Sequence, residues 1–260
     1  MHNPQQFVEE DFDRKLKAFQ DRHKKPTTPE QVEAERKYWE RVFAEKPVYR
    51  KPQEETYKQE MSYDQAREIV KTIFQRRGDE IAELENNPGF RWDFSGGKGE
   101  KIGNLIRYFI NDPQCPYPLA KGLYIFGPVG TTKTETMLIM ERFCQQEGLK
   151  KAFVYCQFSK IYTDAKADAN YNPVAPNVQN NRCFDEFGKY IGPVVRYGET
   201  IDPTETILEQ RYNRWRTYGQ LTFLVSNATP DEIKPQLSHM ASDRLRQMVT
   251  PVLFSGESKR

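Results

Sequence analysis

The chain has 260 residues, 37% hydrophobic and 29% charged, with 39 Lys and Arg set against 37 Asp and Glu for a net charge of +2. That length suits one domain of ordinary size with an extension, or two small domains, and the near balance of charge excludes a polycation that holds nucleic acid by its overall field, so any such contact needs a local patch. No apolar run approaches the roughly 18 residues of a membrane span, and the opening Met-His-Asn-Pro-Gln-Gln lacks the apolar stretch of a signal peptide; a cytoplasmic protein with no membrane partner is expected.

The front of the chain is the most polar part. Residues 1–50 carry 11 Lys and Arg and 10 Asp and Glu, a density that leaves too little apolar area to offset the entropy of ordering them. Residues 1–27 read as a loose arm. A helix start follows at Thr28-Pro29-Glu30-Gln31, with a capping threonine, proline in the first turn and a glutamine to close the box. Val32, Trp39, Val42 and Phe43 then share a face up to about Ala44. Pro47 and Pro52 bracket a connector. A second start, Ser62-Tyr63-Asp64-Gln65, leads into Ala66, Ile69, Val70, Ile73 and Phe74 at helical spacing, and Gly78 is the predicted stop. Residues 1–90 therefore read as a helical, mixed-charge N-terminal region. Its two amphipathic faces suit either mutual packing or the docking of a partner.

Past Asn86-Asn87-Pro88-Gly89 the pattern changes. Short apolar runs, Leu123–Phe126, Ala152–Cys156, Cys183–Phe187, Leu221–Ser226 and Val252–Phe254, alternate with helical segments. Five buried strands separated by helices predict an α/β domain over residues 91–260, a parallel sheet with helices on both faces. Cys115, Cys144, Cys156 and Cys183 lack CxxC spacing and histidine partners, which points to reduced structural thiols rather than zinc or disulfides.

The chemistry concentrates at Gly127-Pro128-Val129-Gly130-Thr131-Thr132-Lys133-Thr134, between the first strand and a helix. Glycines in such a loop let backbone N–H groups and the helix N-terminus face a phosphate chain. Lys133 reaches the β- and γ-phosphates of ATP, and the Thr134 hydroxyl helps hold Mg²⁺. Thr132 departs from the pattern GxxxxGK[ST], which has glycine before the lysine. If that position needs φ > 0, threonine there costs about 1–3 kcal/mol.

Downstream, Cys183-Phe184-Asp185-Glu186 ends a strand with an acidic pair. Asp185 suits Mg²⁺ and Glu186 suits polarising the attacking water, while a plain surface Asp-Glu turn is the alternative. Asn227, at the end of the Leu221–Ser226 run, can orient the same water or serve as a turn residue. Arg244, in Asp243-Arg244-Leu245-Arg246, and the terminal Arg260 carry guanidinium groups suited to phosphate. Arg211-Tyr212-Asn213-Arg214-Trp215-Arg216 offers either a DNA patch or a helix with its aromatics packed inward.

Taken in order, Lys121-Gly-Leu-Tyr-Ile-Phe-Gly-Pro-Val-Gly, Phe-Asp-Glu-Phe-Gly, Val-Ser-Asn, Asp-Arg-Leu and the closing Phe-Ser-Gly-Glu-Ser-Lys-Arg resemble the DnaC/IstB-type AAA+ ATPases, the replicative helicase loaders and transposition helper ATPases. Residues 90–260 carry the resemblance. It implies a P-loop AAA+ sandwich with sheet order 5-1-4-3-2 and ATP-dependent homo-oligomeric spirals or rings on DNA. The implied partner is a replicative helicase with single-stranded DNA, or a transposase with duplex DNA. By the same resemblance Lys133 and Thr134 match Walker A, Asp185 and Glu186 match Walker B, and Asn227 matches sensor 1. Arg244 matches an arginine finger supplied to a neighbouring subunit, and Arg260 matches sensor 2.

Overall fold

The five apolar runs pair as a sheet in the computed structural model, which describes residues 57–94, 97–130, 132–167, 175–196 and 199–254. These belong to one compact unit, residues 49–260. In chain order the strands are β1 (Gly122–Phe126), β2 (Phe153–Gln157), β3 (Asn181–Asp185), β4 (Val194–Arg196), β5 (Glu199–Ile201), β6 (Thr222–Ser226) and β7 (Val249–Leu253). The main sheet runs β2-β3-β6-β1-β7 and every pairing in it is parallel. Counted along the chain, its strands stand in the order 5-1-4-3-2, the order the resemblance implies.

Each buried strand sends alternate side chains to opposite faces, so an apolar run can serve two layers at once. Leu123, Ile125, Cys183, Phe223 and Val225 join a core with α1 (Tyr63–Leu84), α2 (Lys98–Phe109) and α3 (Lys133–Gln146). Tyr124, Phe184 and Leu224 face the other way, into a core with α4 (Phe158–Ala167), α6 (Pro203–Tyr218) and α8 (His239–Met248). The short helices α5 (Ala175–Val178) and α7 (Pro230–Ile233) fill connections between these. The result is a three-layer sandwich. The four cysteines are free thiols, with Cys144 and Cys183 buried. Among the described residues no helix is long and apolar enough to cross a membrane.

Helix α1, strands β3 and β7 and the β4–β5 hairpin differ from the sequence expectation. Helix α1 starts at the predicted capping box, with Ser62 and Gln65 exchanging bonds, but Gly78 does not end it. A Cβ at Gly78 would stand 2.9 Å from Trp92 Nε1, and the indole donates to Phe74 O at 2.6 Å. Glycine is there to admit a tryptophan against the helix, and the helix continues to Leu84. Helix α1 also shares the sheet's core through Ala66, Val70, Ile73 and Phe74. The helix expected at residues 28–44 and the connector at Pro47–Pro52 lie outside the described residues.

Strand β3 begins on the polar Asn181 and stops at Asp185, because Glu186 turns out of the strand at φ 57°. Strand β7 begins at Val249 and accommodates Pro251 because it is an edge strand, where a missing N–H breaks no ladder. The β4–β5 hairpin pairs Val194 with Ile201 and Val195 with Thr200; three residues per strand are too few to show a period in the sequence.

Candidate functional site

Register brings the motifs to one edge. Phe126 pairs with Ser226, and Phe184 with Leu224, so the loop after β1, the acidic end of β3 and Asn227 after β6 all emerge at the carboxyl end of the parallel sheet. That is where open α/β sheets place ligands. The loop leaves β1 through Gly127 at φ 148°, where a Cβ would lie 2.0 Å from Phe254 O; only glycine passes so close to the neighbouring backbone. Val129 is exposed, Gly130 has φ 84°, and Thr132 is left-handed at φ 63° and ψ 16° as the N-cap of α3, without a side-chain capping bond. Thr131 lies outside the described residues.

Lys133 is 5% exposed. Its ammonium donates to Gly127 O at 2.8 Å, Pro128 O at 2.8 Å and Asn227 Oδ1 at 3.0 Å. Burial lowers its pKa to about 8, and the charge of Asp185 opposes that shift. The lysine is folded back on neutral acceptors, two carbonyls of its own loop and the Asn227 amide, so a phosphate oxygen can replace them with a charge-assisted bond.

The acidic pair is divided between two environments. Asp185 is buried, and its Oδ2 accepts from the Thr134 hydroxyl at 2.8 Å and from the Tyr155 phenol, while Oδ1 accepts the Glu186 N–H at 2.7 Å. Burial first, and then the bond to Asp185, push the Tyr155 pKa up, which keeps the phenol a donor. Glu186 points elsewhere. Its carboxylate accepts from Lys189 Nζ at 2.9 Å and Ser159 Oγ at 2.9 Å, and these two bonds, Lys189's the larger, hold its pKa below the usual carboxylate value. A lowered pKa keeps Glu186 ionised at neutral pH, the form a base requires.

Two hydrogen-bonded pairs, Lys133 with Asn227 and Thr134 with Asp185, thus meet at the consecutive residues 133 and 134, with Glu186 next to Asp185 in the chain. Arg244 is not in contact with them among the described residues: its guanidinium pairs with Glu209 of α6 at 3.4 Å and lies 5.6 Å from the Tyr212 ring centroid. Arg260 lies outside the described residues. The arginine cluster on α6 does not form the three-arginine patch its sequence offers. Arg211 is fully buried and donates to Thr222 Oγ1 at 2.9 Å, Val178 O at 2.7 Å, Asn180 O at 2.6 Å and Leu221 O. Tyr212 and Trp215 pack inward, Trp215 donating to Ala120 O at 2.8 Å. Arg214 lies 5.0 Å from the ring centroid of the exposed Tyr218.

Sequence reasoning missed Tyr155, Ser159 and Lys189. The register supplies a signal for Tyr155, since Gln157 pairs with Asp185 and Tyr155 lies two residues earlier on the same face. Ser159 lies in the first turn of α4 and Lys189 in the bend after β3, and neither position carries such a periodicity.

The donor set fits a nucleotide with magnesium. Thr134 and Asp185 bring a hydroxyl and a carboxylate together, the hard oxygen ligands Mg²⁺ prefers, beside a buried ammonium that can meet phosphate. Sheet order and the helices on both faces make this a three-layer α/β sandwich, with the candidate site in the loop between β1 and α3. No family model and no curated protein matches the chain. Solved structures similar to it include a candidate primosome component from Streptococcus pyogenes serotype M3, at 15% identity and TM-score 0.49 over 65% of this chain and 85% of that one. DnaI stands at 15% and 0.48, over 65% and 88%. AMPPCP-bound DnaA from Aquifex aeolicus stands at 14% and 0.43, over 64% and 48%. At such values the likeness carries no functional argument.

Proposed function

We propose that the chain binds ATP with Mg²⁺ through residues 127–134 and hydrolyses it, acting in DNA replication as a helicase-loader-like ATPase. The observation that carries this reading is the meeting of Lys133, Thr134, Asp185 and Asn227 at the carboxyl edge of the sheet. Lys133 exchanges its backbone carbonyls for β- and γ-phosphate oxygens. Thr134 and Asp185 would hold a magnesium ion, which would supply charge neutralisation to the phosphates. Glu186, once released from Lys189 and Ser159, accepts the proton of the attacking water, and Asn227 orients that water. Arg260 reads the nucleotide of its own subunit.

The partners proposed are a replicative helicase and single-stranded DNA, with Arg214, Arg216 and Tyr218 left as the local patch on α6; a transposase and duplex DNA are the alternative set. A second reading, an adaptor that binds nucleotide with impaired hydrolysis, is favoured by two observations. Thr132 holds a conformation that glycine adopts more easily, and Glu186 is engaged by Lys189 and Ser159.

Arg244 is proposed to leave Glu209 and meet the γ-phosphate of a neighbouring subunit in an ATP-dependent homo-oligomer. Arg244→Ala and Lys133→Ala proteins, each inactive alone, are then expected to recover phosphate release when mixed, because mixed assemblies contain interfaces with an intact loop facing an intact arginine. Recovery supports a hydrolysing assembly. An active wild type with two inactive variants and no recovery on mixing contradicts the assignment in trans, and a folded, nucleotide-bound wild type that releases no phosphate leaves the adaptor.

A further inference from the structure

Glu135 places a negative charge in the first turn of α3, the turn that opens with Lys133 and Thr134. A carboxylate there suits the helix dipole, but it faces the same N-terminal positive end that a polyphosphate needs. The structure neutralises it from outside the P-loop segment. Arg77, on α1, forks onto Glu135 with Nε to Oε2 at 2.8 Å and Nη2 to Oε1 at 3.0 Å. Its remaining nitrogen donates to Glu80 at 3.0 Å, and Glu80 also accepts from Arg142 of α3 at 3.2 Å. Arg77 and Glu135 are about three-quarters buried, with side-chain exposures of 23% and 28%. Helix α1 is held against the core by Val70, Ile73 and Phe74, so the guanidinium is presented from a packed element rather than a free arm.

We infer that Arg77 is a positioning residue for nucleotide: by pairing with Glu135 it cancels a charge that otherwise repels the phosphates, and so makes α1 part of the nucleotide site. This deepens the ATP-binding reading and rests on it. A tether that merely packs α1 on α3 predicts something different. Packing is lost when Arg77 is removed, whatever stands at position 135, whereas repulsion of the phosphates appears only if Glu135 keeps its charge.

The test is titration of the full chain with MANT-ATP and Mg²⁺, alongside thermal melting, for wild type, Arg77→Ala, Glu135→Gln and the double variant. Arg77→Ala is expected to weaken binding roughly fivefold at low ionic strength, the upper end for one charge near a helix N-terminus, and by much less in high salt. Glu135→Gln is expected to bind at least as tightly as wild type. The double variant is expected to return to within about twofold of wild type, a non-additivity that identifies charge as the coupling. Wild-type binding with an unresponsive Arg77→Ala, or a double variant as weak as Arg77→Ala, overturns the inference alone. A folded wild type that binds no MANT-ATP overturns the ATP reading and this one together.

Discussion

Thr132→Gly is expected to bind MgATP about tenfold more tightly than the starting protein and to release phosphate faster. Thr132 sits at φ 63° and ψ 16°, a region that costs a β-branched residue on the order of 1–3 kcal/mol. In the free protein that cost favours competing loop conformations in which the N–H groups no longer converge. Apparent affinity falls by the fraction of molecules in the competent conformation. Glycine enters the left-handed region without penalty, so it raises that fraction and also removes side-chain atoms from the approach to phosphate. A tenfold gain corresponds to ~1.4 kcal/mol, within the range of the strain. Turnover gains further because displaced donors cost most where charge develops. Equal affinity and equal turnover in the two proteins would mean that the loop holds threonine at no cost, and would remove a main support of the adaptor reading.

Arg211→Ala is expected to destabilise the fold by about 3 kcal/mol or more. The guanidinium ties α6 to the start of β6 and to the turn before β3. Its removal takes a donor from the buried Val178 carbonyl and Thr222 hydroxyl, each costing roughly 1–3 kcal/mol, and leaves a cavity, while Leu221 O keeps the Arg182 N–H and Asn180 is exposed. Relief of the charge's own desolvation offsets part of this; burial, aided by the nearby Arg182, lowers the Arg211 pKa to about 9. For a unit of this size the melting temperature drops by roughly 2–4 °C per kcal/mol, so thermal unfolding should shift by about 6 °C or more. Arg211→Met, which keeps the volume, separates the contributions: a variant as stable as wild type would show that the buried charge was a net burden.

The sheet was legible because five short apolar runs alternate with helical segments, the pattern of a parallel sheet covered by helices, and Leu123–Phe126 and Leu221–Ser226 lie within a residue of the observed strands. The loop was legible because its residues carry their chemistry locally: glycines for the turn, lysine and threonine for the phosphate end. What escaped were contacts between elements far apart in the chain. Tyr155 meets Asp185 only through the β2–β3 register, Arg77 meets Glu135 across 58 positions, and Gly78 serves Trp92 rather than a helix end. Arg211 shows the same limit from the other side: the run Arg211–Arg216 reads as a charged surface, and only the helix's seating on β6 reveals that its first arginine points inward.

The claim on which the rest depends is that residues 127–134 hold ATP. Calorimetric titration of the full chain with MgATP, for wild type and Lys133→Ala, tests it most directly. Wild type is expected to bind one nucleotide per chain, and Lys133→Ala at least about tenfold more weakly, a loss of ~1.4 kcal/mol or more, with its melting temperature otherwise maintained. A folded wild type that takes up no MgATP, or one whose affinity survives Lys133→Ala unchanged, would contradict it.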